Sequence, residues 1–357
     1  MAAAPRRASK RAGLWRHLLD ALPNWRRLAA WMGAALLAVN APVHSVGADD
    51  TRINLMVGGV EKQIYLPVIL ASRLGYFREQ GLDVEVLTQP SGVDAEDELL
   101  AGAVQGVVGF YDHTIDLQTK GKLVQSVVQF SRIPGEALLA STRHRSDIRT
   151  TADLRDRSLG VTGLGSSTDW LVRYLTTAEG LKPGEIRPLA VGAGESFIAA
   201  MNGGRIAAGM TTEPTASRLL AAGQASVLVD LRSVAGTRQA LGGQYPAACL
   251  YMRASWVNTH RPAVHKLAAA LVKALRYLQS HDAQEIAAQV PADYYAGDRR
   301  LYVKALADGK EMFTADGRMP ADGPATVLKV LQAVNPHVRS KSIDLQKTYT
   351  QEFVSVP

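Results

Sequence analysis

Short apolar runs alternate with stretches of helical periodicity through most of the chain after residue 50. An apolar run at 53–57 ends in Gly58-Gly59, and a helical pattern begins at Pro67 and ends at Gly75. Proline is favoured in the first turn of a helix and glycine just after its end. A further apolar run at 82–87 completes a strand, a helix and a strand, so we expect parallel β-α-β units and an α/β fold.

The same alternation continues to residue 252. It predicts strands at 104–110, 123–130, 137–141, 186–191, 206–210 and 247–252, and helices at 95–101, 196–201 and 214–222. Segment 100–110 resembles segment 202–212, which is weak support for two similar halves. From residue 253 onward the pattern is mostly helical and carries no chemical motif. We expect the helices at 264–278, 299–313 and 322–334 to pack on the first half.

A turn rich in glycine and hydroxyl residues joins an apolar strand to a strongly periodic helix near the middle of the chain. The strand runs into Gly163 and Gly165, and three hydroxyl residues follow, Ser166, Ser167 and Thr168. Backbone N–H groups and the positive end of the helix dipole point into such a turn, so it favours an anion. The alternative that these hydroxyls only cap the helix stays open.

Two more specific interpretations of this turn fail. A P-loop needs a lysine before the final serine or threonine, and this turn has none. A dinucleotide-binding turn needs a third glycine where Thr168 stands and an acid at the end of the next strand, whereas Glu185 precedes that strand. The turn therefore favours an anion other than a nucleotide.

The first 48 residues have the pattern of a secretory signal peptide. A basic start precedes an apolar run at 28–39 that is too short to span a bilayer, and Val46-Gly47-Ala48 offers small residues for cleavage. We expect export to the periplasm, with cleavage near Ala48 and a mature chain from Asp49. The general secretory route is favoured, and the twin-arginine route stays open because Arg26-Arg27 precedes the apolar run. No cysteine stands at that point, so we do not expect a lipoprotein.

Most of the net charge of +7 lies in this leader. Residues 1–48 hold seven of the 40 Lys and Arg residues and one of the 33 Asp and Glu residues, which leaves 33 basic and 32 acidic residues. No basic block survives, so we do not expect a nucleic-acid partner. The single cysteine, Cys249, excludes an internal disulfide and a cysteine-based metal site. We predict a buried, inert thiol and no metal or other cofactor.

One segment carries a family resemblance. Residues 65–85 read YLPVILASRLGYFREQGLDVE, with supporting matches at 99–102, 159–161, 199–203 and 213–214. The chain in this way resembles the periplasmic substrate-binding proteins of ABC importers, in the family that handles nitrate, alkanesulfonates, taurine and thiamine pyrimidine precursors. The resemblance covers roughly residues 52–280 and says little about the ligand.

The resemblance implies a two-lobed periplasmic binding protein fold, type II-like, that closes over a ligand. Each lobe would be a mostly parallel sheet flanked by helices, with the C-terminal helices packed on lobe 1. Residues 1–48 would be the signal peptide, 49–138 and 247–357 lobe 1, and 139–246 lobe 2. The implied partners are a small anionic ligand and the ABC permease subunits, and we expect a monomer.

Carried over position by position, the resemblance places the cleft loops at 59–65, 110–114, 163–168, 193–196 and 211–214. The residues expected to bind ligand are Gln63, Tyr65, Tyr111, His113, Gly165, Ser166, Ser167, Thr168 and Glu213. Simpler roles stay open for some of them. Tyr65 suits a hydrophobic staple, His113 a solvated neighbour of a helix cap, and Glu213 an acid that only offsets a helix dipole.

The cleft loops contain no arginine, and the acids Asp112 and Glu213 lie in them. An anionic ligand with a polar or cationic far end suits this setting better than a small inorganic anion. We therefore expect a sulfonate or carboxylate bound by an importer subunit and not turned over. Two alternatives stay open: a ligand-sensing subunit for a receptor kinase, and an enzyme related to pyrimidine synthesis or desulfination, although Cys249 has no cysteine partner.

Overall fold

Two five-stranded sheets organise the part of the chain that our computed structural model describes, residues 52–354. The expected signal peptide, its cleavage near Ala48 and the mature start at Asp49 lie outside these residues. The strands are β1 (Arg52–Val57), β2 (Asp83–Thr88), β3 (Gly106–Phe110), β4 (Val124–Gln129), β5 (Glu136–Ser141), β6 (Ser158–Val161), β7 (Arg187–Ala190), β8 (Ala208–Thr212), β9 (Ala225–Asp230) and β10 (Ala248–Arg253).

Helices cover both sheets and continue to the C-terminal end. They are α1 (Leu66–Arg73), α2 (Tyr76–Glu79), α3 (Gly92–Ala101), α4 (Asp112–Thr119), α5 (Ser167–Ala178), α6 (Gly194–Asn202), α7 (Thr215–Ala221), α8 (Val234–Leu241), α9 (Ala254–Thr259), α10 (Arg261–Ser280), α11 (Ala283–Ala287), α12 (Arg299–Gly309), α13 (Gly323–Val334) and α14 (Pro336–Arg339). None of the helices between residues 52 and 354 is long and apolar enough to cross a membrane.

The two sheets share one topology. The first has the order β2-β1-β3-β10-β4 and the second β7-β6-β8-β5-β9. In each sheet one strand runs against the others, β10 in the first and β5 in the second. The segments that resemble each other in sequence end in β3 and β8, which hold equivalent central positions. The predicted α/β fold with mostly parallel sheets is confirmed.

The chain crosses between the sheets twice. It leaves β4 of the first sheet and enters β5 of the second through 130–135, and it returns to β10 through 242–247. At each crossing the arriving strand is the antiparallel one, so its first residues lie at the sheet edge where the parallel strands end. The division of the chain into two lobes with the stated boundaries stays a prediction.

The C-terminal helices pack on elements of both sheets. The long helix α10 lies against α1 and α2, with a buried apolar face that includes Leu267, Leu271 and Leu275. This is the packing expected from the sequence. Helix α13 contacts α4 beside the first sheet and also α5, which follows β6 of the second. The C-terminal segment therefore reaches the helix whose N-terminus was expected to hold an anion.

Candidate functional site

A small cavity lies between the facing edges of the two sheets. The first sheet and its loops contribute Lys62, Tyr65, Gly92, Phe110 and His113, and the second contributes Glu136, Thr162, Ser166, Ser167, Thr168 and Thr212. The space open to the centre of a water-sized sphere is about 20 Å³, so the cavity is narrow in this structure. The carboxyl ends of parallel strands meet here, which is where open α/β sheets bind ligands.

The N-terminus of α5 forms one wall of the cavity. Ser166 stands at the N-cap position, yet its side chain makes no capping bond and instead donates to Gly163 O at 2.7 Å. Thr168 Oγ1 lies 2.7 Å from Ser166 Oγ and accepts from Thr162 N at 2.9 Å. Gly165 adopts a φ of +80°, which a residue with a side chain rarely does. Helix capping alone therefore does not explain this hydroxyl cluster.

Lys62 was not among the residues expected from the sequence. Its side chain is 5% exposed, and Nζ donates to Gly58 O. Gly59 makes room for it, because a Cβ at Gly59 would lie 2.5 Å from Lys62 Cε. Burial lowers the pKa of Lys62, although the nearby acids oppose that shift. This lysine, held in a wall of the cavity, supplies positive charge where the cleft loops have no arginine.

Glu136, the first residue of β5, was also missed. It is 1% exposed, and its Oε2 atom has no hydrogen-bond partner among the described residues. Burial raises the pKa of this carboxyl well above its ordinary value, Asp112 adds to the rise, and Lys62 opposes it. The partner of Glu136 in the sheet is Thr212, whose hydroxyl is likewise buried without a partner. Two polar groups that lack hydrogen-bond partners among the described residues therefore lie side by side at the cavity.

His113 is held tightly and is not solvated. It is 2% exposed, and Nδ1 donates to Glu96 Oε2 at 2.6 Å. Its ring lies 5.4 Å from that of Trp170 and 6.3 Å from that of Tyr251. Burial disfavours the charged imidazolium, but the hydrogen bond and charge of Glu96 outweigh it and raise the pKa of His113. Because it is paired with a buried acid in this way, His113 adds little net charge to the cavity.

Tyr65 lines the cavity beside an aromatic neighbour. It is 2% exposed and meets Phe110 edge to face, with ring centroids 6.4 Å apart. Burial raises the pKa of Tyr65 well above its ordinary value, so the phenol stays protonated at neutral pH. The two rings give the cavity an apolar surface beside its charged and hydroxyl groups.

Four of the residues expected from the sequence do not line the cavity, because other groups engage them. Gln63 Nε2 donates to Tyr302 O at 2.9 Å, and the Tyr111 hydroxyl bonds to that of Thr348. Gly165 N donates to Asp169 Oδ2 at 2.9 Å. Glu213 accepts from Ser217 Oγ at 2.9 Å and from Arg232 at 2.6 Å. Ligand contact by any of the nine residues stays a prediction.

Two further expectations, an inert cysteine and no bound metal, concern residues outside this cavity. Cys249 is fully buried in β10, and burial raises the pKa of its thiol. This agrees with the predicted inert cysteine. Residues 52–354 contain no group of three or more His, Cys, Asp or Glu side chains that could hold a metal ion.

Known proteins share both the sequence pattern and the fold. The bicarbonate-binding protein CmpA of Synechococcus elongatus is 24% identical over 314 residues, which cover 76% of this chain and 66% of CmpA, slightly less than two thirds of its length. A solved structure from Bordetella bronchiseptica is 33% identical, covers 85% of this chain and 96% of that one, and has a TM-score of 0.82.

The periplasmic nitrate-binding protein NrtA of Synechocystis shares the fold with a TM-score of 0.68 at 16% identity, over 85% of this chain and 87% of NrtA. These likenesses confirm the resemblance carried by residues 65–85. The model of the NMT1-like family matches residues 50–292. The chain therefore belongs to the NMT1-like family.

Proposed function

We propose that this chain is the periplasmic solute-binding subunit of an ABC importer. It captures a small anionic organic solute, a sulfonate or a carboxylate, and delivers it to the permease subunits. In this proposal residues 1–48 are cleaved after export, and the mature protein acts as a monomer. Residues 49–138 with 247–357 form one lobe, residues 139–246 form the other, and the two lobes close over the solute.

One observation carries the proposal: a buried lysine faces the same cavity as a helix N-terminus. Lys62 belongs to the first sheet's loops, whereas Ser166 and Thr168 begin α5 beside the second sheet. A lysine, hydroxyl donors and the positive end of a 12-residue helix all favour negative charge. Because these groups come from both sheets, an anion between them stabilises the closed arrangement.

The names of the relatives support binding of a small anion. CmpA is named for bicarbonate and NrtA for nitrate. The cavity of this chain also presents the rings of Tyr65 and Phe110 and the carboxyl of Glu136. Apolar rings beside a cation favour an ion with a short organic part over a bare inorganic ion.

The enzyme alternative has weaker support. A cysteine nucleophile needs a lowered pKa and an accessible sulfur. Cys249 is fully buried, and burial raises the pKa of its thiol. A sensing subunit would use the same cavity in the same way, so the presence of permease and ATPase genes beside this one would favour the importer.

A ligand panel with the purified mature protein tests binding without turnover. The panel contains alkanesulfonates, taurine, aromatic and aliphatic carboxylates, nitrate, bicarbonate and pyrimidines. A ligand at a hundredfold excess over its dissociation constant should raise the free energy of unfolding by about 2.7 kcal/mol, seen as a saturable thermal shift. The proposal fails if no organic anion gives such a shift, or if mass spectrometry shows that a bound compound is converted.

A further inference from the structure

Glu136 presents a buried side-chain oxygen to the cavity, and no group of the described residues forms a hydrogen bond with it. The residue begins β5, lines the cavity and is 1% exposed. Its Oε2 atom has no hydrogen-bond partner in residues 52–354. Buried polar atoms in folded proteins are nearly always paired, so an unpaired oxygen at a binding cavity indicates a missing partner.

A second unpaired group lies next to it. Thr212 is the direct neighbour of Glu136 across the antiparallel pair of β5 and β8, and both side chains line the cavity. The Thr212 hydroxyl is also buried without a partner in the described part of the chain. Neighbouring carboxyl and hydroxyl oxygens can both accept hydrogen bonds from one group that carries several N–H bonds.

Two other acids near the cavity already have hydrogen-bond partners. Asp112 accepts from Ser167 Oγ at 2.8 Å and from Tyr245 at 2.9 Å. Glu213 is held by Ser217 and Arg232. Among the described residues that line the cavity, Glu136 is therefore the one carboxyl left for a ligand.

Lys62 is not the missing partner of Glu136. In the described residues Lys62 forms no ion pair with Glu136 within 4.0 Å, although each influences the ionisation of the other. The two groups come from different sheets. The cavity therefore presents a positive group and a separate hydrogen-bond acceptor, which a ligand with two unlike ends can bridge.

We infer that the ligand carries an amino group in addition to its anionic group, and that Glu136 with Thr212 binds this amino group. Lys62 and the hydroxyls of α5 hold the anionic group. The ligand class is then a small aminosulfonate or aminocarboxylate. This inference rests on the proposed function, and it makes Glu136 the residue that selects amino compounds over their amine-free analogues.

Matched ligands test the selection by isothermal titration calorimetry. Taurine is compared with ethanesulfonate, and β-alanine with propionate, on the wild-type protein. The amino member of each pair should bind about tenfold more tightly or better, because a hydrogen bond to a charged group is lost in its analogue. An amine-free analogue that binds as tightly overturns the inference and leaves the proposed function standing. If neither these four compounds nor any anion of the panel binds, the proposed function fails and the inference with it.

Two variants link the preference to one side chain. Glu136→Met removes the acceptor at similar volume and should abolish the preference for the amino compounds. Glu79→Met is the matched control, because Glu79 is an exposed acid of α2 that pairs with Lys273 outside the cleft loops; it should keep the wild-type preference. If Glu136→Met does not fold, Glu136→Gln replaces it and should reduce the preference. A preference unchanged in the folded variant contradicts the assignment.

Discussion

Ser167 Oγ donates a hydrogen bond of 2.8 Å to Asp112 Oδ1 beside the cavity. Ser167 begins α5 beside the second sheet, and Asp112 begins α4 beside the first. Tyr245, in the segment that crosses back between the sheets, donates to the other oxygen of Asp112 at 2.9 Å. One buried carboxyl group therefore connects elements beside both sheets and a crossing segment.

The first prediction concerns this bond. Ser167→Ala should lower the free energy of unfolding by about 1–3 kcal/mol, because Asp112 loses a donor while it stays buried. Ligand affinity should fall as well, since the closed arrangement is weakened. Urea unfolding and calorimetry measure the two effects, and Ser340→Ala is the control, since this exposed serine donates only to His337 O among the described residues. Weaker binding with unchanged stability would show that the hydroxyl serves the ligand instead of the carboxylate.

The sequence located the turn residues well because local pattern defines them. Ser166, Ser167, Thr168, Tyr65 and His113 all follow the ends of predicted strands, and all line the cavity. The alternation of strand and helix also predicted the α/β fold. Position at a strand end is a property of a short segment, so the sequence reveals it.

The two missed residues depend on distant parts of the chain. Glu136 reaches the cavity because β5 is inserted antiparallel, so its amino end lies where the parallel strands end. Periodicity does not reveal strand direction. Lys62 lies in a cleft loop that the sequence identified, but loop lysines are usually exposed, and only tertiary packing buries this one. Glu213 was expected to bind ligand and Asp112 lies in an expected cleft loop, but both carboxyl groups accept hydrogen bonds from residues far along the chain.

Glu136→Gln should stabilise the ligand-free protein at neutral pH. Burial raises the pKa of Glu136 well above 4.5, so the folded state binds a proton that the unfolded chain has released. Below pH 4.5 both states are protonated and the penalty is absent. Above pH 4.5, the free energy of unfolding of the wild type should fall by about 1.4 kcal/mol per pH unit relative to that of the variant. This fall should end at the pKa of Glu136 in the folded protein. Parallel pH profiles of unfolding for the two proteins would refute this.

His113 should make stability depend on pH in a defined direction. Its pKa in the folded protein is raised above 6.5 by Glu96, despite the opposing effect of burial. The stabilisation is therefore fully present below pH 6.5 and is lost as the pH rises through the folded-state pKa. The wild-type protein should lose stability over this interval that His113→Asn does not lose. Urea unfolding at a series of pH values measures the difference. Equal losses of unfolding free energy in the two proteins would contradict a stabilising His113–Glu96 pair.

Trp170 should report ligand binding by fluorescence. It is 7% exposed, lies in the first turn of α5 and is 5.4 Å from the His113 ring. Trp256 is the other tryptophan after residue 48, so the Trp256→Phe protein isolates the signal. Emission should change saturably with the dissociation constant found by calorimetry. Silent emission during calorimetric saturation would place the ligand elsewhere.

Titration of Lys62→Met with the tightest organic anion of the panel tests the anion site most directly. Affinity should fall roughly 10- to 150-fold, because the ligand loses a hydrogen bond to a buried cation. The free energy of unfolding should hold or rise, since the variant no longer buries an ammonium group. Lys122→Met, at an exposed lysine, should bind like wild type. A folded Lys62→Met protein with wild-type affinity would contradict an anion site in this cavity.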